Sequence, residues 1–197
     1  MPRRPTYDRD DLIDRARDLF WRQGWAGTSL KDLESELQMK PGSFYAAFGS
    51  KEGLFALALE RYLRDGTARL AALASEVGAL KALESFPKRV IESVDAPSKA
   101  CMLSKTFLEL QGHRHPLAQK ADAYLSEMEK SFADLFAQAQ SDGDIDPSYD
   151  PHLLAQKYQS DLLGLRASAE RSTINAIGIA DEIAASIARL GQAIPLQ

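Results

Sequence analysis

Apolar positions in this chain recur at three and four residues almost throughout, which is the spacing of one helix face. Leu12, Ile13, Ala16, Leu19 and Phe20 begin the pattern, and Gly24 stops it. Asp8, Asp10 and Asp11 stand where a helix N-terminus favours negative charge. Thr28 and Ser29 then offer an N-cap, with Asp32 three residues after Ser29 as a short capping-box partner. Leu30, Leu33 and Leu37 make a second, short helix face. Pro41, preceded by Lys40, suits the first turn of a third helix, PGSFYAAF, which ends at Gly49. Ser50 caps a fourth helix that opens at Lys51 and carries Leu54, Phe55, Leu57, Ala58, Tyr62 and Leu63. Longer helices follow over about 80–94, with Pro87 as a kink, then 99–110, 116–140 closed by Gly143, 151–171 and 174–190. Sustained β-type alternation is absent. The pattern predicts an all-α protein of about nine helices, short ones first and long ones after.

The informative stretch is residues 24–55. Two short helices separated by a tight turn form a helix-turn-helix pattern. The second of them is unusual for a surface helix, because Gly42, Ser43, Tyr45 and Ala46 make its outer side small, neutral or hydroxylic. Small residues let a helix sink close to base edges, and hydroxyls hydrogen-bond phosphates or bases. Lys51 heads the next helix, where a cation and free backbone N–H groups suit a phosphate. The competing reading is an ordinary pair of amphipathic surface helices.

The residues that carry this pattern resemble the DNA-binding domain of the TetR family of bacterial regulators. They are Leu19, Phe20, Gly24, Thr28, Ser29, Gly42 to Tyr45, Phe48, Ser50 to Glu52, Leu54 and Phe55. The resemblance implies an N-terminal three-helix DNA-binding domain over residues 1–50. It also implies a larger helical ligand-binding and dimerisation domain over 51–197. By position, Thr28 and Ser29 would cap the second helix and touch phosphate. Lys40, Pro41, Gly42, Ser43, Tyr45 and Ala46 would face the major groove, and Lys51 would meet a phosphate. Arg3 and Arg4 would form an arm toward DNA or a solvated tail. The last two helices would make a homodimer contact through Leu162, Leu165, Ile174, Ile177, Ile183, Ile187 and Leu190, the competing reading being a core within one chain. An unidentified small-molecule effector would sit among the middle helices, with Cys101, Met102, Phe107, Tyr124, Met128, Phe132 and Tyr158 around it. Each of these side chains equally suits plain core packing. The segment ACMLSKTFLEL resembles one branch of the family with a cysteine at this point.

Two departures from the family pattern stand out. The turn carries Gln38 where the family usually has Gly, at a cost on the order of 1 kcal/mol for a left-handed backbone. Ala46 and Ala47 cannot hydrogen-bond a base, which leaves methyl packing, for example onto thymine.

Composition narrows the picture further. The 197 residues hold 24 Lys+Arg against 28 Asp+Glu, a net charge of -4, which excludes a uniformly basic coat but not a local basic site. A single cysteine, Cys101, excludes an intramolecular disulfide and a multi-thiolate zinc site, and fits a reducing bacterial cytoplasm. The polar start MPRRPTYDRDD gives no sign of a secretory leader, and no run is apolar enough to span a membrane. With Ser98 as N-cap, Cys101 would sit in the first turn of a helix beside Lys99. It is read there either as a sensor of oxidants or electrophiles or as small core packing.

Other likenesses fail on their own terms. Asp142, Asp144 and Asp146 suggest a calcium loop, but Pro147 and Leu153 stand where Gly and Glu are required. His113 and His115 lack a third metal ligand, and the histidines support no catalytic triad. No metal or other cofactor is expected. The reading is a ligand-responsive DNA-binding regulator, a repressor that binds double-stranded operator DNA as a homodimer, and not an enzyme. The alternative is a helical dimeric protein–protein adaptor with weakened DNA binding, as Gln38, Ala46 and Ala47 hint.

Overall fold

The computed structural model of the protein describes residues 7–192, among which lie nine α-helices. They are α1 (Arg9–Gln23), α2 (Leu30–Leu37), α3 (Pro41–Phe48), α4 (Lys51–Val77), α5 (Ala79–Glu92), α6 (Met102–Leu110), α7 (Pro116–Ser141), α8 (Pro151–Ser168) and α9 (Ala176–Gln192). One turn of 3₁₀-helix, Gln111–His113, joins α6 to α7. The all-α class expected from the periodicity holds. Arg3 and Arg4 lie outside the described residues.

Local chemistry sets the helix ends. The Asp8 carboxylate accepts the Asp10 N–H at 2.9 Å to open α1, and Gly24, at φ 76, closes it. Gly78 adopts φ 86, ends the 27-residue α4 and directly begins α5. Pro87 is accommodated inside α5 without ending it.

Three boundaries differ from the sequence expectation. The sixth helix starts at Met102 with Cys101 as its N-cap, not at Lys99 behind Ser98. The Ser98 hydroxyl is taken instead by the Glu170 carboxylate at 2.5 Å. Helix α8 ends at Ser168, and Ile174 falls in the turn before α9.

Packing divides the buried apolar side chains into two cores. The first joins α1, α2, α3 and α4 as far as Tyr62 to Cys101, Met102, Leu103 and Leu110 and to the start of α7 at Leu117, Ala118 and Ala121. Phe20 and Phe55 meet at its centre, ring centroids 4.5 Å apart. Full burial of one such ring contributes about 2–3 kcal/mol. The second core joins Leu70 of α4 to α5, the later part of α7, α8 and α9. Helix α4 therefore runs through both. Its first half is bound to α1 by ion pairs as well: Arg17 reaches Asp65 at 2.6 Å, and Arg61 reaches Asp10 and Asp14.

The second core takes up most of the side chains expected at the dimer contact. Leu162, Leu165, Ile183 and Ile187 are buried within the chain itself, with Ile177 and Leu190 packed partly buried against them. The α9 side chains pack toward α5 and the α8 side chains toward α7, so the four buried ones are held by the chain's own core. The apolar and small residues that α8 and α9 expose to solvent include Leu153, Gly164, Ala167 and Ile179.

Candidate nucleic-acid interface

Helix α2 is fixed by reciprocal capping. The Asp32 N–H donates to Ser29 Oγ at 3.1 Å, and the Asp32 carboxylate accepts the Ser29 N–H at 2.8 Å and hydroxyl at 2.6 Å. These bonds, the hydroxyl's first and the N–H's second, hold the Asp32 carboxyl below its ordinary range. Leu33 and Leu37 turn inward. Gln38 then takes the left-handed conformation, φ 53 and ψ 40, and the chain reverses into α3 with the Met39 N–H bonded to the Glu34 carbonyl at 3.0 Å. A non-glycine residue thus fills the strained position anticipated from the sequence.

Helix α3 is anchored by Phe44 and Phe48, both buried, with ring centroids 5.7 Å apart. Anchoring these two sends Pro41, Gly42, Ser43, Tyr45 and Ala46 to the outside, and Lys40 beside them is exposed. Tyr45 keeps 48% of its surface in solvent. A Cβ built on Gly42 would meet nothing within 4 Å, so nothing inside the molecule calls for glycine there. Gly53 is the contrast, because a Cβ on it would lie 2.5 Å from the Phe48 carbonyl oxygen. Nothing within the chain therefore requires the glycine that opens the outer surface of α3.

Two expected contact residues are placed differently. Thr28 is buried and donates its hydroxyl to the Gly24 carbonyl at 2.8 Å, so it shapes the turn instead of facing a phosphate, and Ser29 alone is the cap. Lys51 folds back to donate to the Trp25 carbonyl at 2.5 Å, its ammonium 4.1 Å from the Trp25 ring centroid. Desolvation there lowers its pKa, against the pull of Glu109 and Asp32. It braces the interface from behind. Sequence reasoning missed Arg9, whose guanidinium lies 5.6 Å from the Phe48 ring centroid at the far end of α3, and exposed Lys31 on α2.

The side chains expected around an effector do not converge. Cys101 and Met102 belong to the first core, with Phe107 and Tyr124 packed partly buried against it. Phe132 and Tyr158 belong to the second, with Met128 against it. Tyr158 is committed to packing: its hydroxyl donates to the Leu83 carbonyl at 2.7 Å, and its ring meets Phe132 at 4.9 Å. Of these residues Tyr124 lines an open groove, about 790 Å³ between α4 and α7, alongside Arg64, Thr67, Glu127 and Asp134. Cys101 is buried, with Tyr62 and Arg166 beside it. Burial alone would lower the Arg166 pKa, but Tyr62 and Cys101 outweigh it and hold the guanidinium above its ordinary value.

Comparison with known proteins agrees with this geometry. The model of a family described as bacterial regulatory proteins, tetR family, matches residues 12–58. The HTH-type transcriptional repressor ComR of Escherichia coli is 29% identical over 169 residues, covering 83% of this chain and 80% of its own. A TetR-family regulator from Cytophaga hutchinsonii superposes with a TM-score of 0.82 at 20% identity, over 96% of this chain and 95% of its own, which speaks to the fold. A cysteine mutant of the TetR-family regulator CifR, complexed with 26-base-pair operator DNA, superposes with a TM-score of 0.77 at 29% identity, over 98% of this chain and all of its own. With the capped helix pair, the solvent-facing α3 and these likenesses, residues 12–58 belong to the tetR family of bacterial regulatory proteins, and the chain as a whole is similar to TetR-family regulators.

Proposed function

We propose that this protein is a transcriptional repressor that binds operator DNA as a homodimer and releases it when a small molecule binds or when Cys101 is modified. The observation that carries this reading is the outer face of α3, small and hydroxylic, with an open Gly42 at its head. ComR is named a repressor and CifR is bound to operator DNA, which supports carrying the role across. In this reading Gly42 and Ala46 let α3 approach the bases, and Ser43 hydrogen-bonds a base edge or phosphate. Tyr45, Lys40 and Ser29 hold phosphates. Lys51 reaches a phosphate only by leaving the Trp25 carbonyl, so its first role is bracing.

Release is a population shift. A ligand lowers DNA affinity by the difference between its affinities for the two poses of the DNA-binding helices. A group added to buried Cys101 acts alike, forcing bulk into the start of α6. The place of action is the compartment that holds the chromosome.

Selection of bound fragments from the source genome tests the reading. A near-palindromic duplex with half-sites about one turn or a small multiple apart is expected. Its affinity should fall steeply with salt as phosphate contacts release counterions. Failure to bind any genomic duplex above random DNA overturns the repressor and leaves the adaptor.

A further inference from the structure

We propose that Lys105 and Glu109 of α6 are positioning residues for operator recognition, fixing the pose in which α3 is presented to DNA. The inference rests on the repressor reading above and adds to it the residues that set half-site geometry. Neither side chain belongs to the DNA-facing surface.

Four residues apart on one helix, they share a face. Both spend that face on α1 and the turn after it. The Lys105 ammonium donates to the Trp21 carbonyl at 2.7 Å and the Arg22 carbonyl at 3.4 Å. These carbonyls lie at the C-terminal end of α1, where helix geometry leaves acceptors unpaired and the dipole favours a cation. The Glu109 carboxylate accepts the Trp25 N–H at 3.0 Å and the Ala26 N–H at 2.7 Å, the donors of the turn that follows. Gly24 lies close beneath, since a Cβ on it would sit 3.1 Å from Glu109 Oε2. Cation meets acceptors and anion meets donors, each in the only order that attracts.

The same joint is held from two other sides. The Trp25 carbonyl takes the Lys51 ammonium of α4. The Trp21 indole N–H donates to the Ala100 carbonyl at 2.7 Å. Residues 98–100 are in turn tied to α8 and the turn after it: the Glu170 carboxylate accepts the Ala100 N–H at 2.8 Å, and Arg166 Nε donates to the Lys99 carbonyl at 2.8 Å. A displacement of α8 or of the start of α6 therefore reaches the turn before α2 through hydrogen bonds, as well as through the shared core.

The experiment measures binding of the full-length protein to an operator series differing only in half-site spacing, alongside random DNA at low salt. Glu109→Ala should broaden or shift the preferred spacing and weaken the best site by about tenfold or more, the scale of losing a pair of charge-assisted hydrogen bonds. Random-DNA binding should stay as in wild type. Lys105→Met should do the same, and Lys105→Arg, which can still donate to both carbonyls, should restore the wild-type profile. If Glu109→Ala does not fold, Glu109→Gln decides, since it keeps an acceptor for one N–H and should give an intermediate profile. An unchanged spacing profile in the Glu109 and Lys105→Met variants overturns the positioning role and leaves the repressor standing. A wild type that prefers no duplex overturns both.

Discussion

At the scale of single residues, Gly42 is where the needs of the fold and those of the proposed DNA contact come apart. Its missing Cβ opens onto empty space, and glycine in a helix costs up to about 1 kcal/mol relative to alanine. Gly42→Ala should leave the thermal midpoint unchanged or raise it, while operator affinity falls. Calorimetry and a binding titration on one preparation check both halves. Gly53→Ala, facing the Phe48 carbonyl, should lose stability instead. Glu170 carries a pH dependence. Hydrogen bonds from the Ala100 N–H, and then from the Ser98 hydroxyl, hold its carboxyl below the ordinary value. With the folded pKa depressed, its contribution is complete above the unfolded-state value and is lost as pH falls through the folded one. Acid titration followed by circular dichroism should find Glu170→Gln less stable than wild type near neutrality, with the gap closing at low pH.

At the scale of elements, the N-terminal helices were legible because local chemistry decides them. Ser29 with Asp32, Pro41 and the glycines at 24 and 49 act within a few residues of themselves, and the structure uses each as the periodicity implied. The start of α6 was not legible, since Ser98 is claimed by Glu170 from the turn after α8, and no local window contains that partner. Thr28 and Lys51 were misplaced for a related reason: type and position fitted DNA contact, but nearby carbonyls at Gly24 and Trp25 took their polar atoms. Helices α8 and α9 show a further limit. Periodicity finds an apolar ridge without saying whether its partner is the same chain or another, and here the α9 ridge packs on α5 and the α8 ridge on α7. Ile183→Glu should therefore unfold the protein, by putting an unpaired charge in its core, rather than release folded monomers. Gly164 is exposed, with room around a built Cβ. Gly164→Arg should keep the helical spectrum and shift sedimentation from dimer to monomer if α8 forms the subunit contact.

At the scale of the whole molecule, the functional division expected near residue 50 does not match the division of the core. The DNA-binding helices share their apolar interior with α4, α6 and the first turns of α7, and the second core begins only at Leu70. A fragment of residues 1–50 would expose Phe20, Leu33, Phe44 and Phe48 and should be unfolded by circular dichroism, whereas full-length protein should melt as one cooperative unit. A shared core also explains how a regulator can work without a flexible linker. The DNA-binding helices share this core with α6, so a repacking of α6 is expected to reorient them.

The joint at the end of α1 has one more consequence, an optical one. The protein has two tryptophans, Trp21 and Trp25, and both stand there. Trp21 meets Tyr62 edge-on at 4.9 Å and lies under the Arg166 guanidinium, while Trp25 lies under the Lys51 ammonium and against His115. All ultraviolet emission from indole in this protein therefore originates where the DNA-binding helices join the rest, beside charges that tune its wavelength and yield. The chain carries an unlabelled reporter of its own regulatory state, and candidate effectors can be screened by that glow before any operator is known.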